Sequence, residues 1–132
     1  MKQFVFDSSA VISYLDGEPN AEKVADVLED INNKNYKGFI CVVNLGEIYY
    51  HFLRTAGIKV ANLAIESMTT LPIEIINADT ELTLSAAKYK AFNKMSYADC
   101  FAAALTDVQN AILVTSDKEF KQIETKIKII WI

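Results

Sequence analysis

The stretch Gln3-Phe4-Val5-Phe6-Asp7-Ser8-Ser9-Ala10 decides how the chain is read: a short apolar strand ends at an acid, and helical spacing then runs from Ser8 to Leu15. A strand that passes straight into a helix begins a βα unit, and the rest of the chain repeats the pattern. Lys37 to Val43 predicts a second strand. The helix after it is capped by Asn44, carries Leu45, Ile48, Tyr49, Phe52 and Leu53 on one face, and stops at Gly57. Ile73 to Ile76, Ala111 to Thr115 and Lys126 to Trp131 are the remaining strands. Helices fill the gaps. One is opened by Asn20 as a good N-cap, with Val24, Val27, Leu28 and Ile31 inward; others are Ile58 to Met68, Thr80 to Phe92, Tyr97 to Val108 and a short one from Asp117 to Ile123. Such alternation calls for right-handed crossovers and a mostly parallel sheet. The expected fold class is α/β, a single three-layer sandwich with four to five strands and helices on both faces of the sheet.

With 132 residues, of which 52% are hydrophobic, the chain has material for one core and not for two, so residues 1–132 are read as one domain. No repeat, linker or low-complexity stretch interrupts it. The formal net charge of −4 excludes the broad cationic footprint that drives non-specific binding to nucleic acid or membranes. A polyanionic substrate must then be held by local basic residues or by a metal. Cys41 and Cys100 sit in apolar stretches without metal-ligand spacing, which points to a reducing compartment. The apolar run from Met1 to Phe6 is too short for a signal peptide, and no stretch approaches membrane-spanning length. A soluble, cytoplasmic protein is the expectation.

Four acids stand at the handovers from strand to helix. Asp7 ends the first strand, Glu47 follows the second, Asp99 lies in the first turn of the helix from Tyr97, and Asp117 follows the strand ending at Thr115. In an open parallel sheet all these places share the carboxyl edge, where such folds bind ligands. Each acid also has an ordinary explanation. Asn44-Leu45-Gly46-Glu47 and Ser96-Tyr97-Ala98-Asp99 are capping-box patterns, Asp117 is a fair N-cap for a short helix, and Asp7 is a fair turn residue. The coincidence of all four shifts the weight, because carboxylates gathered without a cation repel and raise one another's pKa. A hard divalent cation removes that cost. The donors are oxygen only, from the acids and the hydroxyls of Ser8, Ser9, Thr115 and Ser116, which suits Mg²⁺ or Mn²⁺ and not zinc. The lone His51 has no orienting partner visible in the sequence and reads as a surface or partner-facing side chain.

Taken in order, Phe4-Val5-Phe6-Asp7-Ser8-Ser9-Ala10, Asn44-Leu45-Gly46-Glu47-Ile48, Tyr97-Ala98-Asp99-Cys100-Phe101-Ala102-Ala103-Ala104 and Leu113-Val114-Thr115-Ser116-Asp117-Lys118-Glu119-Phe120 resemble the PIN-domain ribonucleases, in particular the VapC-like toxins. The resemblance spans the whole chain. It implies a Mg²⁺- or Mn²⁺-dependent endoribonuclease, a homodimer, held inactive by a small cognate antitoxin. It also implies Asp7, Glu47, Asp99 and Asp117 as the catalytic acids. Asp7 and Asp99 are the first choices for metal ligation, Asp117 completes the shell, and Glu47 orients the attacking water or a second metal. Ser8 and Thr115 are the candidate supporting hydroxyls. Water as nucleophile would leave a 5′-phosphate and a 3′-hydroxyl, again by resemblance. Cys100 stands where the family more often has alanine, a packing change.

Lys88, Lys90 and Lys94 precede the Ser96 helix and are candidate contacts to RNA phosphates. Tyr49, Tyr50, Phe52 and Leu53, with Ile58 and Val60, offer more apolar surface than one core needs and are a candidate dimer or antitoxin face. Two other classes stay open. A phosphoryl-transfer domain of the receiver or haloacid-dehalogenase type would cast Asp7, Thr115 and Lys118 in its key roles, although Ser9 stands where a dehalogenase has a second Asp. In a non-catalytic partner-binding module the acids would only cap helices.

Overall fold

Val5 and its neighbours Phe4 and Phe6 point to opposite faces of their strand, as alternation along any strand requires, and all three are buried. A strand apolar on both faces belongs in the middle of a sheet covered on both sides. The computed structural model, which describes residues 2–132, places it there; Met1 lies outside the described residues. The elements run β1 (Gln3–Phe6), α1 (Ser8–Leu15), α2 (Ala21–Lys34), β2 (Lys37–Cys41), α3 (Val42–Ala56), α4 (Ile58–Met68), β3 (Glu74–Ile76), α5 (Thr80–Phe92), α6 (Tyr97–Val108), β4 (Ile112–Thr115), a 3₁₀ helix (Lys118–Ile123) and β5 (Lys128–Trp131). Five strands form one sheet in the order β3-β2-β1-β4-β5. Every neighbouring pair is parallel, with Val5 opposite both Phe39 and Leu113.

Two cores flank the sheet. On one face Val5, Phe39, Cys41 and Leu113 pack with Leu82 and Ala86 of α5 and with Phe101 through Leu105 of α6. On the other, Phe4, Phe6, Ile40 and Val114 meet Val11, Val24, Leu28, Ile31, Ile48, Phe52 and Ala61 from α1 to α4. The alanine run of α6 lets that helix lie close to the strands, since small side chains permit close backbone approach. At Gly38 the fit is tighter still: a Cβ there would stand 2.7 Å from the Pro72 carbonyl oxygen.

The expected α/β sandwich is this structure, with differences at the element ends. The second strand stops at Cys41 and α3 begins at Val42, so Asn44 lies inside the first turn and is not its cap. Val42 and Val43 are β-branched and favour strands locally. Packing overrides them: Val43 packs against the core under α6, while Leu45 and Tyr49 pack against the other core beside Ala61 and Ala64 of α4. Asn20 precedes α2 without a side-chain capping bond. The strands expected to begin at Ile73, Ala111 and Lys126 begin at Glu74, Ile112 and Lys128. Among the described residues no helix is long and apolar enough to cross a membrane.

Candidate active site

Parallel strands bring their carboxyl ends, and the amino ends of the helices that follow, to one edge. Asp7 closes β1 there and caps α1. Its Oδ1 accepts the Ala10 N–H at 2.9 Å and the Ser9 hydroxyl at 2.7 Å, and its Oδ2 accepts the Thr115 hydroxyl at 2.5 Å. Thr115 ends β4, so this bond ties together two loops that lie far apart in sequence. The Ser116 N–H donates to the Ser9 hydroxyl at 3.1 Å and the Asp117 N–H to the Thr115 hydroxyl at 2.9 Å. Asp7 is only 1% exposed. Burial drives its pKa up to about 6, against the opposing pull of the hydrogen bonds from Thr115, Ala10 and Ser9; the nearby charge of Asp117 adds to the rise.

Asp99 enters from α6. The Ser96 hydroxyl accepts the Asp99 N–H at 3.2 Å, which is half of a capping box. The other half is missing. The Ser96 N–H goes to Glu119 Oε1 at 3.3 Å, leaving the Asp99 carboxylate free of the backbone it was expected to cap. Asp117, the N-cap of the 3₁₀ helix, accepts the Glu119 N–H at 2.9 Å. Carboxylate oxygens of Asp99, Asp117 and Glu119 all lie within 4.8 Å of one another. Asp99 is buried, and its pKa is pushed up to about 9, first by burial, then by hydrogen bonding with Asp117 and Glu119 and by the charges of Asp117 and Asp7. At neutral pH the metal-free cluster therefore keeps a proton among its acids.

Glu47 lies one turn deeper into α3 than a capping box allows, since no acid occupies the first turn of that helix. Its Oε1 accepts the Ser8 hydroxyl at 2.9 Å and the Asn44 Nδ2 at 3.0 Å. The same Asn44 amide donates to the Ala98 carbonyl of α6 at 3.1 Å. Capping thus explains neither Glu47 nor the side chain of Asp99.

The structure brings Asp99 and Asp117 together, seats Asp7 against them through Thr115, and joins Glu47 to the group through Ser8, the residue after Asp7. Of the two expected hydroxyls, Thr115 serves Asp7 and Ser8 serves Glu47. The lysines scatter. Lys90 donates to the Met95 carbonyl at 2.6 Å, and Lys94 is laced by its backbone to Gln122 on the 3₁₀ helix. Lys88 lines a cavity of about 300 Å³ with Tyr89, Phe92, Asp107 and Lys126. His51 stands 3.8 Å from Asp16, away from the four acids. Ser9, one of the hydroxyls expected near the acids, binds Asp7, whereas Glu119 is an addition to the four expected acids. In the sequence Glu119 is only an acid two residues after Asp117 in a short polar stretch, with nothing to mark it apart from a solvent-facing side chain.

The donor chemistry fits a hard divalent ion. Every available ligand is oxygen, and the ion pairs found among the described residues, Lys34 with Asp30 and His51 with Asp16, leave these acids without a protein cation.

The family model of the PIN domain matches residues 4–126. No curated protein matches the chain. Among solved structures, VapBC2 from Rickettsia felis, bound to a DNA fragment from its promoter, is similar with a TM-score of 0.79 and 17% identity over 97% of each chain. The sarcin-ricin-loop-cleaving toxin VapC20 of Mycobacterium tuberculosis is similar with a TM-score of 0.74 and 13% identity, over 94% of this chain and 95% of that one. DNA-bound VapBC from Salmonella typhimurium is similar with a TM-score of 0.74 and 16% identity over 98% of each chain. At those identities the likeness is one of fold.

Proposed function

The chain belongs to the PIN domain family, and from that premise we propose that it is a Mg²⁺- or Mn²⁺-dependent endoribonuclease, the toxin of a toxin–antitoxin pair. The observation that carries the reading is the convergence, at the carboxyl edge, of the buried Asp99 with the half-buried Asp117 and the exposed Glu119, beside the buried Asp7 and with no lysine or arginine ion-paired to them among the described residues. Asp7, Asp99 and Asp117 would hold the ion, with Glu119 added to the set first expected. When bound, a divalent ion supplies a water of lowered pKa and neutralises charge growing on the phosphodiester oxygens. The chain's own groups do the rest. Thr115 and Ser9 fix both oxygens of Asp7, Asp117 holds the 3₁₀ helix that presents Glu119, and Glu47 is oriented by Ser8 and Asn44 to direct an attacking water.

Phosphate contacts fall to Lys88 and Lys94, since Lys90 is occupied by a backbone carbonyl. The exposed Tyr50, Ile58, Val60 and Leu63 of α3 and α4 offer the apolar face for a cognate antitoxin or a second copy. Both cysteines are free and buried, in keeping with action in the cytoplasm.

The test is cleavage of a panel of structured RNAs with Mn²⁺ by the wild type, Asp7→Asn and Asp99→Asn. Cutting is expected to vanish with a chelator and to fall by about 10²-fold or more in either variant, as loss of charge at a metal centre does. Equal cutting by wild type and variants would assign the activity to a contaminant and end the proposal.

A further inference from the structure

Asn44 is completely buried, and its Oδ1 is the only buried side-chain polar atom among the described residues left without a hydrogen-bond partner. A stranded buried acceptor has lost its hydration with nothing in return, so a purely structural position would favour an apolar side chain of the same size. The orientation of the amide is not arbitrary. Turning it over would bring its oxygen against two other acceptors, Glu47 Oε1 and the Ala98 carbonyl, and lose bonds of 3.0 and 3.1 Å. One NH₂ group therefore links the Glu47 carboxylate on α3 to the turn of α6 that carries the next residue, Asp99. Among the described residues the bond to the Ala98 carbonyl is the one side-chain hydrogen bond between α3 and α6, and the bond to Glu47 carries it into the site.

We propose that Asn44 is a positioning residue for the nuclease reaction: by bridging Glu47 and the Ala98 carbonyl it sets where the Glu47 carboxylate stands relative to the acids on α6 and the 3₁₀ helix. This rests on the nuclease reading above. Residues that hold a catalytic or metal-binding carboxylate in place typically contribute 10–100-fold to activity or metal affinity without touching substrate. The bland alternative, a helix-packing amide, predicts loss of stability and activity together.

Asn44→Leu keeps the volume and removes both donors along with the stranded acceptor. Its kcat with Mn²⁺ on a cleavable RNA is expected to fall about 10–100-fold. KM should stay within about twofold, because binding shared equally by substrate and transition state is untouched. The melting temperature of the metal-free variant should not drop. In the Glu47→Gln background the same substitution should cost almost nothing more in kcat, since a residue acting through Glu47 has nothing left to position. Mn²⁺ affinity, read by calorimetry without RNA, should show the same pattern of non-additivity. Unchanged kcat in a folded Asn44→Leu, or a full additive loss in the Glu47→Gln background, overturns the inference. Asn44→Ser, which retains one hydroxyl donor, should fold and recover part of the kcat. If neither variant folds, Asn44 is a packing residue and the proposal falls. A wild type that neither binds Mn²⁺ nor cleaves RNA removes the nuclease reading itself, an outcome distinct from a wild type that does both while Asn44→Leu matches it.

Discussion

Asp7 occupies a position that is unfavourable for a charge. It is buried, its pKa is raised to about 6, and its neighbours are hydroxyls, one N–H and other acids. Asp7→Asn keeps the shape and removes the buried charge. The metal-free variant is expected to melt a few degrees above the wild type, a gain of about 1 kcal/mol or less, while RNA cleavage is lost, the usual opposition between stability and an active site. Calorimetry with chelator and a cleavage assay on the same sample check both halves; a variant that melts lower would mean that the Asp7 hydrogen bonds outweigh its charge. Asp7, Asp99 and Asp117 were legible in the sequence because each follows a strand or opens a helix. Glu119 was not, because an acid in a short polar stretch looks the same whether it faces solvent or a neighbour's carboxylate. Asn44 and Glu47 were legible as a pair and misread as a cap, since an amide three residues before a glutamate satisfies the capping pattern in any register.

At the scale of elements, the boundary between β2 and α3 matters most. Starting the helix at Val42 in place of Leu45 moves Glu47 from the first turn to the second and turns Asn44 from a cap into a bridge. No local propensity marks that shift, because two valines read as strand until the partner helix α4 is known. The strand feeding this junction is held by close approach at its other end. Gly38 leaves 2.7 Å between a notional Cβ and the Pro72 carbonyl oxygen, a backbone atom that cannot swing aside. Gly38→Ala should therefore destabilise the fold by about 1–3 kcal/mol, the range for overpacking, with a matching drop in the denaturation midpoint. An unchanged midpoint would show that the segment before β3 yields easily.

For the whole molecule the parallel sheet with a core on each face was readable from periodicity, because strands apolar on both faces must be interior, whereas the order β3-β2-β1-β4-β5 was not, since periodicity says nothing of which strands are neighbours. The electrostatics were readable only in outline. Asp7 and Asp99 hold their protons more tightly in the folded state than the usual carboxylate near 3.8, at about 6 and about 9. Between roughly pH 4 and those values the folded metal-free protein binds more protons than the unfolded chain, so the stability these groups contribute is complete below about pH 4 and is lost as pH rises through each raised value. Metal-free protein should thus melt higher at about pH 5.5 than at about pH 8.5, and added Mn²⁺ should raise the melting temperature more at the higher pH, where fewer protons must leave. Melting curves at both values, with chelator and with Mn²⁺, read this directly. A Mn²⁺ shift that is the same at both would mean that no carboxyl proton is displaced.

The central strand is also the earliest one translated. Asp7 meets Thr115 across 108 positions, and Ser9 meets Ser116 across 107. Nothing local can substitute for those contacts, so a nascent chain carries its first acid long before the residues that complete its surroundings exist. The centre closes only after β4 and the segment behind it have emerged from the exit tunnel. On the proposed nuclease reading, a chain built in this order cannot assemble its site against the ribosome and message producing it until β4 has been made and has left the tunnel.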